Sequence, residues 1–283
     1  MVQRTRRRPA RTRMVEASRQ KIHIVRTHGI YVLPNLFTTA SLVCAFLAII
    51  RATNGVFDAA AVLIVLSMVF DGMDGRVARL THTQSEFGVQ FDSIADMTAF
   101  GVAPAVTVYQ FLLHDMGGIG CMGAFVFCLC AGVRLARFNC NVGVVDKRFF
   151  QGLPSPAAAA LVAGFVWLTA QGKMPTFILD NPVPYAFVIT LYAGLTMVCN
   201  APFFSGKSAA CLKTKPFWFA FALSVIFIVV SESPAFAVFI LFCLYALSGY
   251  VYQAWLFYTD KPNPVLPAVS YTHLRAHETT LHL

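Results

Sequence analysis

Residues 57–96 read FDAAAVLIVLSMVFDGMDGRVARLTHTQSEFGVQFDSIAD. An apolar run from Ala59 to Phe70 passes directly into Asp71 and Asp74. After a short polar stretch, Asp92 and Asp96 stand at the head of a second apolar run. Neither run alternates apolar with polar residues, so both read as helices rather than strands. With their flanking residues, near 56–76 and 93–113, they reach the length that suits a bilayer, which takes about 20 residues of helix to cross.

The rest of the chain agrees. Its 283 residues are 57% hydrophobic and 12% charged, against about 25% charge in a soluble domain. Continuous apolar runs also argue against a β-barrel. The expected fold class is an all-α polytopic membrane protein of about eight spans, the first six forming the catalytic core. Hydropathy puts the spans near residues 33–51, 56–76, 93–113, 117–137, 155–171, 183–200, 216–232 and 234–257.

The net charge of +9 is uneven. Nine Arg and Lys residues, from Arg4 to Arg26, precede the first span, with Glu16 as their sole acidic neighbour. This tail, residues 1–28, reads as lying against anionic lipid rather than nucleic acid. Arg76, Arg79, Arg134, Arg137, Lys147, Arg148, Lys207, Lys213, Lys215 and Lys261 all fall on the same side as the tail when the spans are followed in order. The positive-inside rule then puts both termini in the cytoplasm. The membrane domain is expected over residues 29–260 and a C-terminal tail over 261–283. Within that tail, residues 268–283 (AVSYTHLRAHETTLHL) turn abruptly polar and read as a non-native stretch, so they carry no weight in the fold. The scattered cysteines read as small packing residues.

Four aspartates, Asp71, Asp74, Asp92 and Asp96, fall within 26 positions of a chain that has 13 acidic residues in all. Asp71 and Asp74 share one helix face, and Gly75 and Ala78 continue it without bulk. Asp92 and Asp96 share a face of the next helix, with Gly88 one turn earlier. The short connection makes the two helices antiparallel neighbours, so the carboxylates converge between them. Four carboxylates in a low-dielectric site need a counter-charge. Divalent cations with oxygen ligands supply it, and Mg²⁺ or Mn²⁺ commonly draws substrate phosphate into the same shell. A binuclear phosphoryl-transfer site is one reading. Helix capping or pairing with Arg76 and Arg79 is another, and a transporter's cation site is a third. The position at span ends beside a basic loop favours the first.

The same residues match the signature D-x2-D-G-x2-A-R-x8-G-x3-D-x3-D at every fixed position: Asp71, Asp74, Gly75, Ala78, Arg79, Gly88, Asp92 and Asp96. In this the chain resembles the CDP-alcohol phosphatidyltransferase family. Three further stretches resemble its serine-using branch: Leu33–Thr38, Arg134–Asn139 and Gly152–Pro156. The resemblance covers roughly residues 28–260. It implies two ions of Mg²⁺ or Mn²⁺, one held by Asp71, Asp74 and Asp92 and the other by Asp71, Asp92 and Asp96. It makes Asp96 the general base as well. Gly75, Ala78 and Gly88 would let a cytidine nucleotide lie against the helices, and Asn35 and Thr38 would help line its pocket. The implied substrates are CDP-diacylglycerol and serine, with CMP leaving by direct displacement. Glycerol 3-phosphate or an inositol phosphate is the alternative acceptor. The implied assembly is a homodimer, in a bacterial cytoplasmic membrane with its active site on the cytoplasmic side.

Arg134 and Arg137 lie on one helix face at the cytoplasmic end of span four. Guanidinium forks there suit a diphosphate or the serine carboxylate; their plainer role is topology and snorkelling. Arg79 or Arg134 would balance charge on the leaving CMP. Asn35 and Thr38 have helix capping as their plainer role.

Overall fold

In a membrane each backbone polar group must find its partner within the segment, and that makes these apolar runs helices. The computed structural model describes residues 35–81, 85–140, 149–204, 233–259 and 265. The basic tail, the span read at 216–232 and the stretch 268–283 lie outside the described residues.

Helix α1 (Asn35–Thr53) and α2 (Phe57–Thr81) form an antiparallel pair joined by a turn at Asn54 and Gly55. Buried hydroxyls stitch them together: Ser41 Oγ lies 2.9 Å from Ser67 Oγ. Helix α3 (Glu86–Asp96) starts on Ser85, whose Oγ accepts a 3.0 Å hydrogen bond from the Gly88 N–H. It continues through a π-helical segment, Met97–Val102, into α4 (Ala103–Phe111). The Ala103 N–H bonds the Thr98 carbonyl, one residue further back than in an α-helix. Pro104 follows at once, and the widened segment takes in the carbonyl its ring would otherwise crowd.

A 3₁₀ turn at Leu113–Met116 leads to α5 (Gly118–Cys140). Strand β1 (Phe149–Gln151) pairs antiparallel with β2 (Pro202–Phe204), in the register Phe149 with Phe204 and Gln151 with Pro202. Between these strands run α6 (Ser155–Ala170), the short α7 (Thr176–Leu179) and α8 (Pro182–Val198); α9 (Pro234–Tyr258) follows. Helix α6 is the centre of the bundle. Ser155 and every residue from Ala157 to Leu168 are buried, and α2, α4, α8 and α9 pack around it. Its alanines let those helices come close.

Outward-facing residues are apolar as well: Phe46, Met122, Phe125, Leu129, Leu244 and Val251 are all exposed. A soluble protein rarely shows so much apolar surface, whereas a lipid-facing one must. Helices α1, α5 and α9 are long and apolar enough to cross a membrane, and α6 and α8 are shorter apolar helices. The protein is an all-α polytopic membrane protein, as its sequence suggests. The two-stranded ribbon and the π segment are additions that hydropathy does not register.

Candidate metal and phosphoryl-transfer centre

Asp71 and Asp74 project from the last part of α2, and Asp92 and Asp96 from α3. Asp71, Asp74 and Asp92 each bring one carboxylate oxygen to within 4.8 Å of the other two. Asp92 faces Asp74, and Asp96 faces Asp71, each pair in side-chain contact. All four predicted aspartates therefore meet at one place.

These groups are not ordinary surface acids. Asp74 is buried, and the other three are half-buried. Arg76 and Arg79 are exposed, and among the described residues neither forms an ion pair with the cluster. Two carboxylate oxygens, Asp92 Oδ1 and Asp96 Oδ1, are buried without a hydrogen-bond partner among the described residues. Orphaned carboxylate oxygens inside a ring of like charges are costly unless a cation completes them. An all-oxygen donor set of this kind suits a hard divalent cation, so the residues fit the metal site that the sequence suggests.

Around the cluster the structure divides the predicted residues into two ends. At the α1 end, Thr38 is buried and its hydroxyl donates a 2.8 Å hydrogen bond to Asp74 Oδ2. Asn35 stands against the start of α3: a Cβ added to Gly88 would lie 3.4 Å from Asn35 Oδ1. Gly75 lies under the Arg79 guanidinium, with Nη1 3.6 Å from where a Cβ would be. Ala78 follows on α2, and its side chain is outside the described residues.

At the α5 end, Arg134 is buried and donates from Nη1 to Ser155 Oγ at 2.9 Å. Its guanidinium interacts electrostatically with Asp71 and Asp96 and stacks over the Phe138 ring at 5.4 Å. Asn139 Nδ2 donates to Ser93 Oγ at 3.1 Å and so ties the end of α5 to α3.

Arg137 behaves differently from the expectation that paired it with Arg134 as an anion ligand. Its Nη2 donates to the carbonyls of Gln151 (2.9 Å) and Met197 (3.2 Å), and its Nη1 to that of Val198 (2.9 Å). These acceptors are the last carbonyls of α8 and the end of β1, where helix dipole and unpaired C=O groups attract a cation. The guanidinium is engaged by the fold itself. Ser155, by contrast, lies in the Gly152–Pro156 stretch that resembles the serine-using branch, a resemblance that assigns it no role of its own; the structure sets its hydroxyl against Arg134.

Fold and site together define a class: a polytopic helical membrane protein in which α2 and α3 bring four carboxylates together in a cluster that could hold a metal ion. Comparison with known proteins agrees. The profile of the CDP-alcohol phosphatidyltransferase family matches residues 31–204, which run from the start of α1 through β2. A CDP-diacylglycerol–serine O-phosphatidyltransferase of Helicobacter pylori is 37% identical over 233 residues, covering 82% of this chain and 94% of the relative. One from Methanocaldococcus jannaschii is 35% identical over 190 residues, covering 67% of this chain and 81% of that protein. One from Saccharomyces cerevisiae is 39% identical over 129 residues, covering 43% of this chain and 44% of the relative. The chain belongs to the CDP-alcohol phosphatidyltransferase family, and it is a membrane transferase.

Proposed function

We propose that the protein transfers the phosphatidyl group of CDP-diacylglycerol to the hydroxyl of L-serine, giving phosphatidylserine and CMP. The observation that carries this reading is the convergence of Asp71, Asp74, Asp92 and Asp96, with two buried carboxylate oxygens that have no partner among the described residues. The names of the relatives support serine as the acceptor.

Asp71, Asp74 and Asp92 would hold one divalent cation and Asp71, Asp92 and Asp96 a second, Mg²⁺ or Mn²⁺, supplying positive charge against the substrate diphosphate. The chain's own residues do the rest. Gly75, Ala78 and Gly88 leave a wall without bulk along which the cytidine nucleotide lies, with Asn35 beside it. Thr38 holds Asp74 in place from behind. Arg79, exposed at the end of α2, balances charge on the CMP phosphate. Arg134, on the Asp96 side, takes the serine carboxylate through its free N–H groups. Asp96 accepts the proton of the serine hydroxyl. The serine oxygen bonds to the lipid-side phosphorus as the bond from that phosphorus to the bridging oxygen breaks, and CMP leaves with the electron pair. Arg137 contributes through the ribbon it clamps.

The membrane domain spans residues 29–260 in this reading. The active site and both termini face the cytoplasm of a bacterial cell, the basic tail lies on anionic lipid, and two copies form a homodimer. The test is CMP release from CDP-diacylglycerol by detergent-solubilised protein, with serine, glycerol 3-phosphate and inositol phosphate offered in turn. Release with serine alone is expected. Release solely with another alcohol would overturn serine as the acceptor and keep the chemistry.

A further inference from the structure

Arg134 and Arg137 stand one turn apart on α5 and are used in opposite ways. Arg137 spends its donors on the carbonyls that close the ribbon. Arg134 is buried to all but 9% of its surface. Among the described residues it makes a single hydrogen bond, to Ser155, and no ion pair. A guanidinium has five N–H donors, so most of this one's capacity is unspent. It also lies beside the first residue of α6, where the positive end of the helix dipole disfavours a cation. Asp71 and Asp96 face it from the acidic centre, and its free donors are available to an anionic ligand on that side.

What holds Arg134 in this orientation is the turn that precedes α6. The Gly152 N–H bonds the Ala201 carbonyl and the Leu153 N–H bonds the Thr196 carbonyl, both at 3.0 Å. Arg137 fixes the Gln151 carbonyl at the start of the same turn. Ser155 is wholly buried, and its hydroxyl is placed by this pinned backbone. We propose that Ser155 is a positioning residue that acts through Arg134, its hydroxyl aiming the arginine's free N–H groups at the substrate's carboxylate. The inference rests on the proposed function and adds a residue to it.

The experiment is steady-state kinetics of Ser155→Ala and Ser155→Thr, with serine and CDP-diacylglycerol varied separately and folded fraction followed by size-exclusion chromatography. In Ser155→Ala the KM for serine is expected to rise about tenfold, with kcat and the KM for CDP-diacylglycerol within about twofold. Ser155→Thr keeps the hydroxyl and restores the serine KM to within about threefold. If Ser155→Ala does not fold, Ser155→Cys, similar in size and a poor acceptor, replaces it with the same expectation. An unchanged serine KM, or a fall in kcat alone, overturns the positioning role. A wild-type protein inactive with serine overturns the proposed function and this role with it, whereas an active wild type beside an unmoved variant overturns the role alone.

Discussion

The hydroxyl of Thr38 in α1 donates a 2.8 Å hydrogen bond to Oδ2 of Asp74 in α2, in the buried interface between the two helices. The bond orients the Asp74 carboxylate within the centre it shares with Asp71 and Asp92. Residues that orient metal ligands typically change metal affinity or activity by about 10–100-fold when removed. Thr38→Val, which keeps the shape and loses the hydroxyl, is therefore expected to raise the Mn²⁺ concentration needed for half-maximal turnover by about tenfold or more. A metal titration of activity checks this.

The four aspartates crowd like charges together, and Arg134 beside Asp71 and Asp96 is a single cation against them among the described residues, so in the metal-free protein they oppose folding. Asp92→Asn is expected to raise the thermal midpoint measured in chelator. The same change should abolish the further rise that Mn²⁺ or Mg²⁺ gives the wild type. Thermal unfolding with and without metal reads both effects.

Arg134 and Arg137 should separate in a stability assay. Arg137→Ala leaves the Gln151, Met197 and Val198 carbonyls short of a donor, at about 1–3 kcal/mol for each buried group left unsatisfied. It should lower the thermal midpoint and activity together. Arg134→Met removes a buried charge that has one hydrogen bond and fills its place with apolar volume, a kind of exchange that is often neutral or stabilising. It should keep the thermal midpoint in Mn²⁺ and still lose at least about 100-fold in kcat/KM for serine.

Gly152 carries φ +77°, and a Cβ there would run into the Met197 carbonyl oxygen. Gly152→Ala meets both the backbone strain, about 1–3 kcal/mol for such conformations, and the collision. Folded yield in detergent should fall, and the surviving protein should show the raised serine KM expected of a displaced Ser155.

How far the sequence alone reaches can be judged from particular elements. The four aspartates are local in pairs, three or four residues apart, and helix geometry brings each pair to one face whatever the rest of the chain does. That is why the centre was legible. Helix α3 begins at Glu86, seven residues before the hydropathic limit of 93, because its first turns are polar and a hydropathy window passes over them. Ser85 marks its true start. The π segment at Met97–Val102 has no periodic signal of its own. The ribbon was out of reach for another reason: Phe149–Gln151 and Pro202–Phe204 are short, and each finds its partner across α6 to α8. The two arginines show the same limit. They are the same residue type on the same face, and only the return of α8 and the ribbon decides which one is spent. Family resemblance identified the chemistry but did not distinguish them.

The most direct test of the central claim is CMP release from CDP-diacylglycerol and serine by purified protein stripped with chelator and then resupplied with Mn²⁺, in parallel with Asp96→Asn. The expected result is no release in chelator, recovery with Mn²⁺, and a loss of at least about 100-fold in folded Asp96→Asn, the scale of general base catalysis. Metal-independent release, or near-normal turnover in folded Asp96→Asn, would contradict it.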